Sequence, residues 1–348
     1  NPETFHSVAF YLQSLETPGS PLLPTTWTYD GIQAGLMGKY REALFHLALA
    51  VSGGISLVFI NLGAAGKWYF RGYSRAQTAP SRIIPPIGAG RGWSRLLSFL
   101  PAPVQALVIK EIRTFFRDQT QWPQLFLIIA LIVVYLYNFS VLPLDRTPIK
   151  TIYLQNLFSF LNMGLATFVL TAIAARFVFP AVSSEGQSFW IIRSSPVTIR
   201  TFLWIKFFIY YFPLAILSEI LIVVSNILLA VTPFMMVLST VTVFCMVPGI
   251  VALGIGFGAS YPDFASENPT QSVTSFGGLL YMTICAGFIA LVVILEAGPV
   301  YAVFMAGIRG QSLTAWQWLW LAGSFALAMI MCILAVIVPM KMGEQRLR

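Results

Sequence analysis

The amino-acid sequence predicts an all-α protein, a polytopic transmembrane bundle with seven membrane-spanning helices. Three observations lead there. The composition is 57% hydrophobic and only 10% charged, with a mean hydropathy of +0.78, which leaves too little polar surface to cover a soluble globule of 348 residues. Seven apolar windows are long enough to cross roughly 30 Å of hydrocarbon as helices: Ala43–Ala65, Pro123–Leu142, Gln155–Phe179, Phe202–Ala230, Phe234–Ala259, Phe276–Leu295 and Trp316–Pro339. The period-2 alternation of a membrane barrel is absent, so helices must satisfy the backbone within lipid.

Residues 1–42 read as neither a signal peptide nor a span. They are expected to lie on the extracytoplasmic side, in a polypeptide that is processed or is part of a longer one. The stretches Leu23–Phe59 and Val300–Leu334 share an order of parts, a loop with Trp and Gly, a polar turn and then a helix. Such a weak internal repeat is what a two-halved transporter leaves behind, although any loop followed by a helix looks alike.

Residues 66–122 are the hydrophilic interruption. "GYSRAQTAPSRIIPPIGAGRGWSR" reads as a Pro/Gly/Ser-rich linker. In "VQALVIKEIRTFFRDQTQW", Val104, Val108, Ile112 and Phe115 recur at helical spacing while Lys110, Arg113 and Arg117 gather on another face. This predicts an amphipathic helix lying along the headgroups before the chain turns into the membrane at Pro123.

Charge orients the chain. With the segment before Ala43 outside, 16 Lys and Arg fall on inner segments and five on outer ones (Lys39, Arg41, Arg146, Lys150 and Arg309). The reading is an integral protein of the plasma (inner) membrane, C-terminus cytoplasmic and N-terminus of this chain extracytoplasmic. The net charge of +8 then faces anionic lipid, and a nucleic-acid partner is not expected because no basic face with stacking aromatics is present.

Between two long apolar runs sits "SSEGQSFWIIRSSPVTIRTFLWIKF", Ser183–Phe207. Ser183 or Ser184 can cap a short helix with Glu185 in its first turn, "FWIIR" gives it an apolar face, and Ser195–Pro196 caps and begins the next helix. A short helix carried on the tip of two long ones is a docking knob, and a partner gripping it moves both as levers.

No catalytic constellation and no metal site is predicted. Cys245, Cys285 and Cys332 lie in apolar spans without ligand spacing. "NLGAAGKW", Asn61–Trp68, lacks the spacing, the hydroxyl residue and the preceding strand of a P-loop. Within the spans, Glu219 and Asn226 lie two turns apart on one face, a stripe that could line a pathway or bond a neighbouring helix. Lys206 and Arg176 are expected to snorkel to the inner surface, and Glu296 to mark an outer helix end. Gly254, Gly256 and Gly258 suit close helix packing or a hinge.

The ordered motifs "KEIRTFFRDQTQWPQL", "YLYNFSVLPL", "RFVFPAVSSEGQSFWIIRSSP", "WIKFF" and "YPDFASENPTQSVTSFGGLLYM" resemble those of exporter permeases of the ABC-2 class, closely from Lys110 to about Met282 and loosely elsewhere. That resemblance implies a transmembrane permease that couples ATP hydrolysis by a separate ATP-binding subunit to substrate export, with no enzymatic activity of its own. It implies an interface helix holding Lys110, Arg113, Phe116 and Arg117, and a cytosolic coupling helix holding Glu185, Gly186, Phe189, Trp190 and Arg193, with Asp263 and Glu267 as a further partner contact. The implied division is residues 1–42 extracytoplasmic, 43–65 the last span of an N-terminal half, 66–122 linker and interface helix, and 123–348 a six-span C-terminal half. Partners would be the ATP-binding subunit, the remaining N-terminal half or another permease copy, and lipid. No cofactor would bind directly, ATP and Mg residing in the partner. The chain departs from that class in having seven spans rather than twelve and no ATPase motif. The alternatives are a proton-coupled secondary transporter or channel using Glu219, and a membrane scaffold that only recruits a partner.

Overall fold

The computed structural model describes residues 23–78, 100–117, 121–140, 151–264, 269–309, 312 and 314–348. Every regular element among the described residues is helical. Ten α-helices follow in chain order: α1 (Pro24–Leu36), α2 (Tyr40–Thr78), α3 (Ala102–Arg117), α4 (Gln121–Ser140), α5 (Thr151–Phe177), α6 (Phe189–Ser194), α7 (Ile199–Leu228), α8 (Pro233–Ser260), α9 (Phe276–Arg309) and α10 (Ala315–Leu347). Six of them, α2, α5, α7, α8, α9 and α10, are long and apolar enough to cross a membrane. Where the second span is expected, α4 is a 20-residue helix whose described apolar stretch, Gln124–Phe139, is shorter than the others.

The chain divides into two compact units, residues 1–95 and 96–348. In the first, the stretch read as a loop before the first span is helical from Pro24, a residue whose fixed φ suits a first helical turn. It ends at Gly38, whose φ of +74° lets Lys39 N–H return to Ala34 O at 2.9 Å. The α1 helix then packs back along α2, with the Trp27 ring so close to Gly53 that a Cβ there would lie 2.8 Å from it. The α2 helix runs 39 residues, about 58 Å, well past Ala65, because no proline interrupts the chain before Pro80. The predicted linker therefore begins as helix, and its remainder, 79–99, lies outside the described residues.

The second unit is organised around α8, which packs against α10 above all and also against α7, α5 and α9. Small residues permit this. A Cβ on Gly256 would fall on the Pro339 carbonyl of α10, one on Gly258 on the Phe179 carbonyl, and one on Gly254 would sit 3.0 Å from Val178 Cγ1. All three glycines thus serve close packing, and the interior of α8 from Gly249 to Ala259 is buried without interruption.

A buried polar layer joins the last turns of α7 to the first turns of α8 and the first half of α5. Asn226 accepts from Ser159 and donates to Ser239, both at 2.7 Å. Asn162 donates to Ser225 at 2.6 Å and accepts from Tyr135 of α4, while Asn156 Oδ1 receives Thr232 Oγ1 at 2.8 Å. Each partner supplies what the other lacks, which is how buried amides avoid the cost of desolvation.

Prolines mark the helix interiors. Pro299 lies inside α9 and supplies no N–H to Leu295 O four residues back. Ser324 of α10 donates to that carbonyl instead. The helix therefore continues past Glu296, which does not mark its end: the side chain is 2% exposed and both carboxylate oxygens lie 3.0 Å from Thr242 Oγ1 of α8.

Candidate functional site

The connection from α5 to α7 supplies the site. After Phe177 the chain tightens into 3-10 turns at Phe179–Ala181 and Ser183–Ser188 and then forms the one-and-a-half-turn α6. Neither Ser183 nor Ser184 caps the turn through its side chain. Ser183 Oγ accepts the Asp263 N–H at 3.1 Å, and Ser184 Oγ donates to Ala181 O at 2.8 Å. Gly186 takes φ +53°, ψ −142°, a region reserved for glycine, and so reverses the chain between the turn and α6. The next helix begins three residues beyond Pro196, at Ile199, with Thr198 Oγ1 accepting Thr201 N–H at 3.2 Å. Thr198 wins the cap because the chain at Ser195–Val197 is a bend.

Four charges meet beneath this connection. Lys206, in the second turn of α7, is 1% exposed. Its Nζ lies 2.8 Å from Glu111 Oε2 of α3 and 2.7 Å from Glu185 Oε1. Lys110 pairs with Glu185 and, at 3.1 Å, with Glu111. Phe202 places its ring 5.4 Å below the Lys206 ammonium, adding a cation–π contact. Two cations and two carboxylates balance, so the cluster is neutral although Lys206 and Glu185 are buried. Lys206 thus does not snorkel to the surface: α3 and the 3-10 turn close over it, and two acids stand where water would. The cluster ties α3, the α5–α6 connection and α7 together, in a region where breaking one partner strands the rest.

Around it the other expected residues take distinct places. Phe189 stacks on Phe264 with centroids 4.8 Å apart and meets Phe202 edge-on at 6.1 Å. Trp190, the next residue, is 68% exposed. Arg193 donates to the Arg348 carbonyl at 2.6 Å. On α3, Val104, Val108, Ile112 and Phe115 are half-buried while Arg113 is exposed, and Phe116 is exposed beside Phe115. Glu267 and the side chain of Arg117 lie outside the described residues. The site therefore brings together Glu185, Gly186, Phe189 and Lys110. Glu219 and Asn226 lie elsewhere on α7, and no bond joins them: Asn226 belongs to the buried polar layer, while Glu219 Oε1 is buried without a hydrogen-bond partner among the described residues.

Sequence reasoning missed Glu111 and the pairing of Lys206. The signal was present in both. Glu111 adjoins the apolar stripe of α3 instead of opposing it, and Lys206 is flanked by Ile205, Phe207 and Phe208, a setting in which an ammonium needs a counter-ion. Asn61–Trp68, set aside as a P-loop, falls inside the continuous helix α2, where backbone N–H groups are engaged in the helix and cannot cradle phosphate.

No curated protein and no solved structure matches the chain. One family model matches residues 2–348, and its description is "Putative ATP-binding cassette". That finding corrects four expectations. The family matched is not an ABC-2 permease family, so the resemblance to that class does not hold. With it fall the assignment as an exporter's permease and the proton-coupled alternative through Glu219. The expectation of a chain without enzymatic activity is likewise overturned, because an ATP-binding cassette by its description includes the nucleotide function. The match spans nearly the whole sequence, and the chain belongs to the family described as "Putative ATP-binding cassette".

Proposed function

We propose that this chain is a membrane-embedded protein of an ATP-binding-cassette transporter, and that its four-charge cluster transmits nucleotide-dependent movement into the membrane helices. The observation that supports this is the cluster's place. It joins an amphipathic helix, a short helix that follows the chain reversal at Gly186 and bears an exposed tryptophan, and the base of a spanning helix. A displacement of α6 acts on Glu185, and Glu185 holds Lys206 of α7, so the first turns of α7 must follow. In this reading α4 is a seventh crossing, α3 lies along the membrane surface, and the end bearing the cluster faces the cytoplasm.

The test uses membrane vesicles in which that end is outward, containing the protein with Cys in place of Trp190 and read with a membrane-impermeant maleimide. Adding Mg-ATP changes the modification rate by about fivefold or more, the lower end of ordinary coupling between sites. The same change vanishes when E185Q and K206M are added. An azido-ATP analogue in the same vesicles reports whether the nucleotide sits on this chain. A wild-type rate indifferent to ATP rejects the reading.

A further inference from the structure

A groove of about 380 Å³ opens between the first turns of α7 and the last turns of α10. Its floor is apolar, built from Leu203 and Met340, which are buried, with Ile337 and the half-buried Trp204 along its wall. Its rim is basic. Arg200 and Lys341 are both exposed, and among the described residues neither has a carboxylate within ion-pair distance. Among the described residues the acid at the groove is Glu344, which pairs with Arg348.

The position of these groups is informative. Arg200 lies in the first turn of a candidate span and Lys341 near the close of another, so both sit where a spanning helix leaves hydrocarbon. An indole one turn inside them suits the interface between acyl chains and headgroups. Cations on long stems at this depth reach the plane of lipid phosphates. A soluble anion would need only the rim, and a bare apolar partner only the floor. The combination of two cations with no carboxylate partner among the described residues, above an apolar wall, fits one occupant that is anionic at its head and apolar below.

We propose that this groove binds an acidic phospholipid, its phosphate held between Arg200 and Lys341 and an acyl chain lying along Trp204 and Ile337. Because α7 also carries Lys206 on its opposite, buried side, a lipid seated here contacts the same two turns of α7 that the charge cluster grips. The inference depends on the membrane setting of the two helices and not on the proposed response to nucleotide.

Native mass spectrometry of the detergent-purified protein, titrated with phosphatidylglycerol or phosphatidylcholine, tests it. The wild type retains phosphatidylglycerol in preference, and R200Q/K341Q weakens that retention roughly thirtyfold, as two lost phosphate contacts should. The charge-conserving R200K/K341R keeps it, and K39Q/R41Q, which removes two bases from the other compact unit, leaves it unchanged. Soluble glycerol phosphate at millimolar concentration does not displace the lipid. Circular dichroism establishes that each variant is folded, and the single variant K341Q, retaining an intermediate amount, serves should the double variant fail to fold. Equal retention of both lipids by the wild type overturns the proposal, as does undiminished retention by R200Q/K341Q. Displacement by glycerol phosphate overturns it in favour of a free anion, and displacement by an acidic peptide in favour of a protein partner.

Discussion

Lys206 is placed where an ammonium needs counter-ions. Its exposure of 1% removes water, and two carboxylates within 2.8 Å replace it. Replacing it by Met keeps most of the volume but leaves Glu111 and Glu185 sharing the more exposed Lys110. Such a truncated pair costs about 3–5 kcal/mol. K206M is therefore expected to lower the melting temperature clearly in detergent, followed by circular dichroism. Removing the second charge as well, in E185Q/K206M, leaves Lys110 and Glu111 as a balanced pair, so the double variant should be more stable than K206M alone. A double variant as unstable as the sum of the two singles would mean that the residues do not share one cluster. At this scale the sequence was partly legible. The chemistry of Glu185 and Lys110 stands out in a chain with only 13 acids. Their pairing does not, because 75 residues separate Lys110 from Glu185 and only tertiary folding brings α3 beneath α7.

Helices were easier to anticipate than their ends. Apolar length sets where a chain can cross hydrocarbon, whereas termini depend on local bonds that composition does not record. Hence α7 starts at Ile199 on a Thr198 cap and not at Pro196, and α9 runs through Gly298 and Pro299 to Arg309. The second case shows one element repairing another. Pro299 leaves Leu295 O without its helical donor, and Ser324 of α10 provides one. S324A should cost about 1 kcal/mol, the usual size of an interhelical hydrogen bond in a bundle. In a P299A background the restored backbone N–H can donate to Leu295 O itself, so the same S324A change should then cost close to nothing. Thermal unfolding of the four proteins of this cycle measures the difference. Equal costs in both backgrounds would show that the hydroxyl serves some purpose other than replacing the missing N–H. Glycines belong to the same scale: Gly254, Gly256 and Gly258 suggested either packing or a hinge from sequence, and the contacts of α8 with α10 and with Val178–Phe179 favour packing.

For the molecule as a whole, the question left by the helices is one of parity. Six are long and apolar enough to cross a membrane, and α4 has 20 residues, about 30 Å of rise, which equals the hydrocarbon thickness with no margin. If α4 crosses, seven passages separate the start of α2 from the end of α10 and place them on opposite sides. If α4 lies within one leaflet, six passages return both ends to the same side. Charge favours the first arrangement. Seven crossings collect 16 of the 21 Lys and Arg on one side, a bias strong enough to orient a polytopic chain, whereas a return after α3 without a crossing at α4 would scatter the bases of α3, Arg176, Arg200 and Lys341 between the two sides. Tyr135 of α4 also bonds Asn162 in the middle of α5, which draws α4 alongside a helix long and apolar enough to cross, at the depth of the polar layer. Single cysteines at Lys39 and Gln345, both exposed, are therefore expected to react with a membrane-impermeant maleimide from opposite faces of sealed vesicles. A cysteine at Trp190 should react from the same face as the one at Gln345, because α7, α8, α9 and α10 carry the chain across four times between them. Labelling of Lys39 and Gln345 positions from one face would reduce α4 to a half-buried element and remove the charge argument with it.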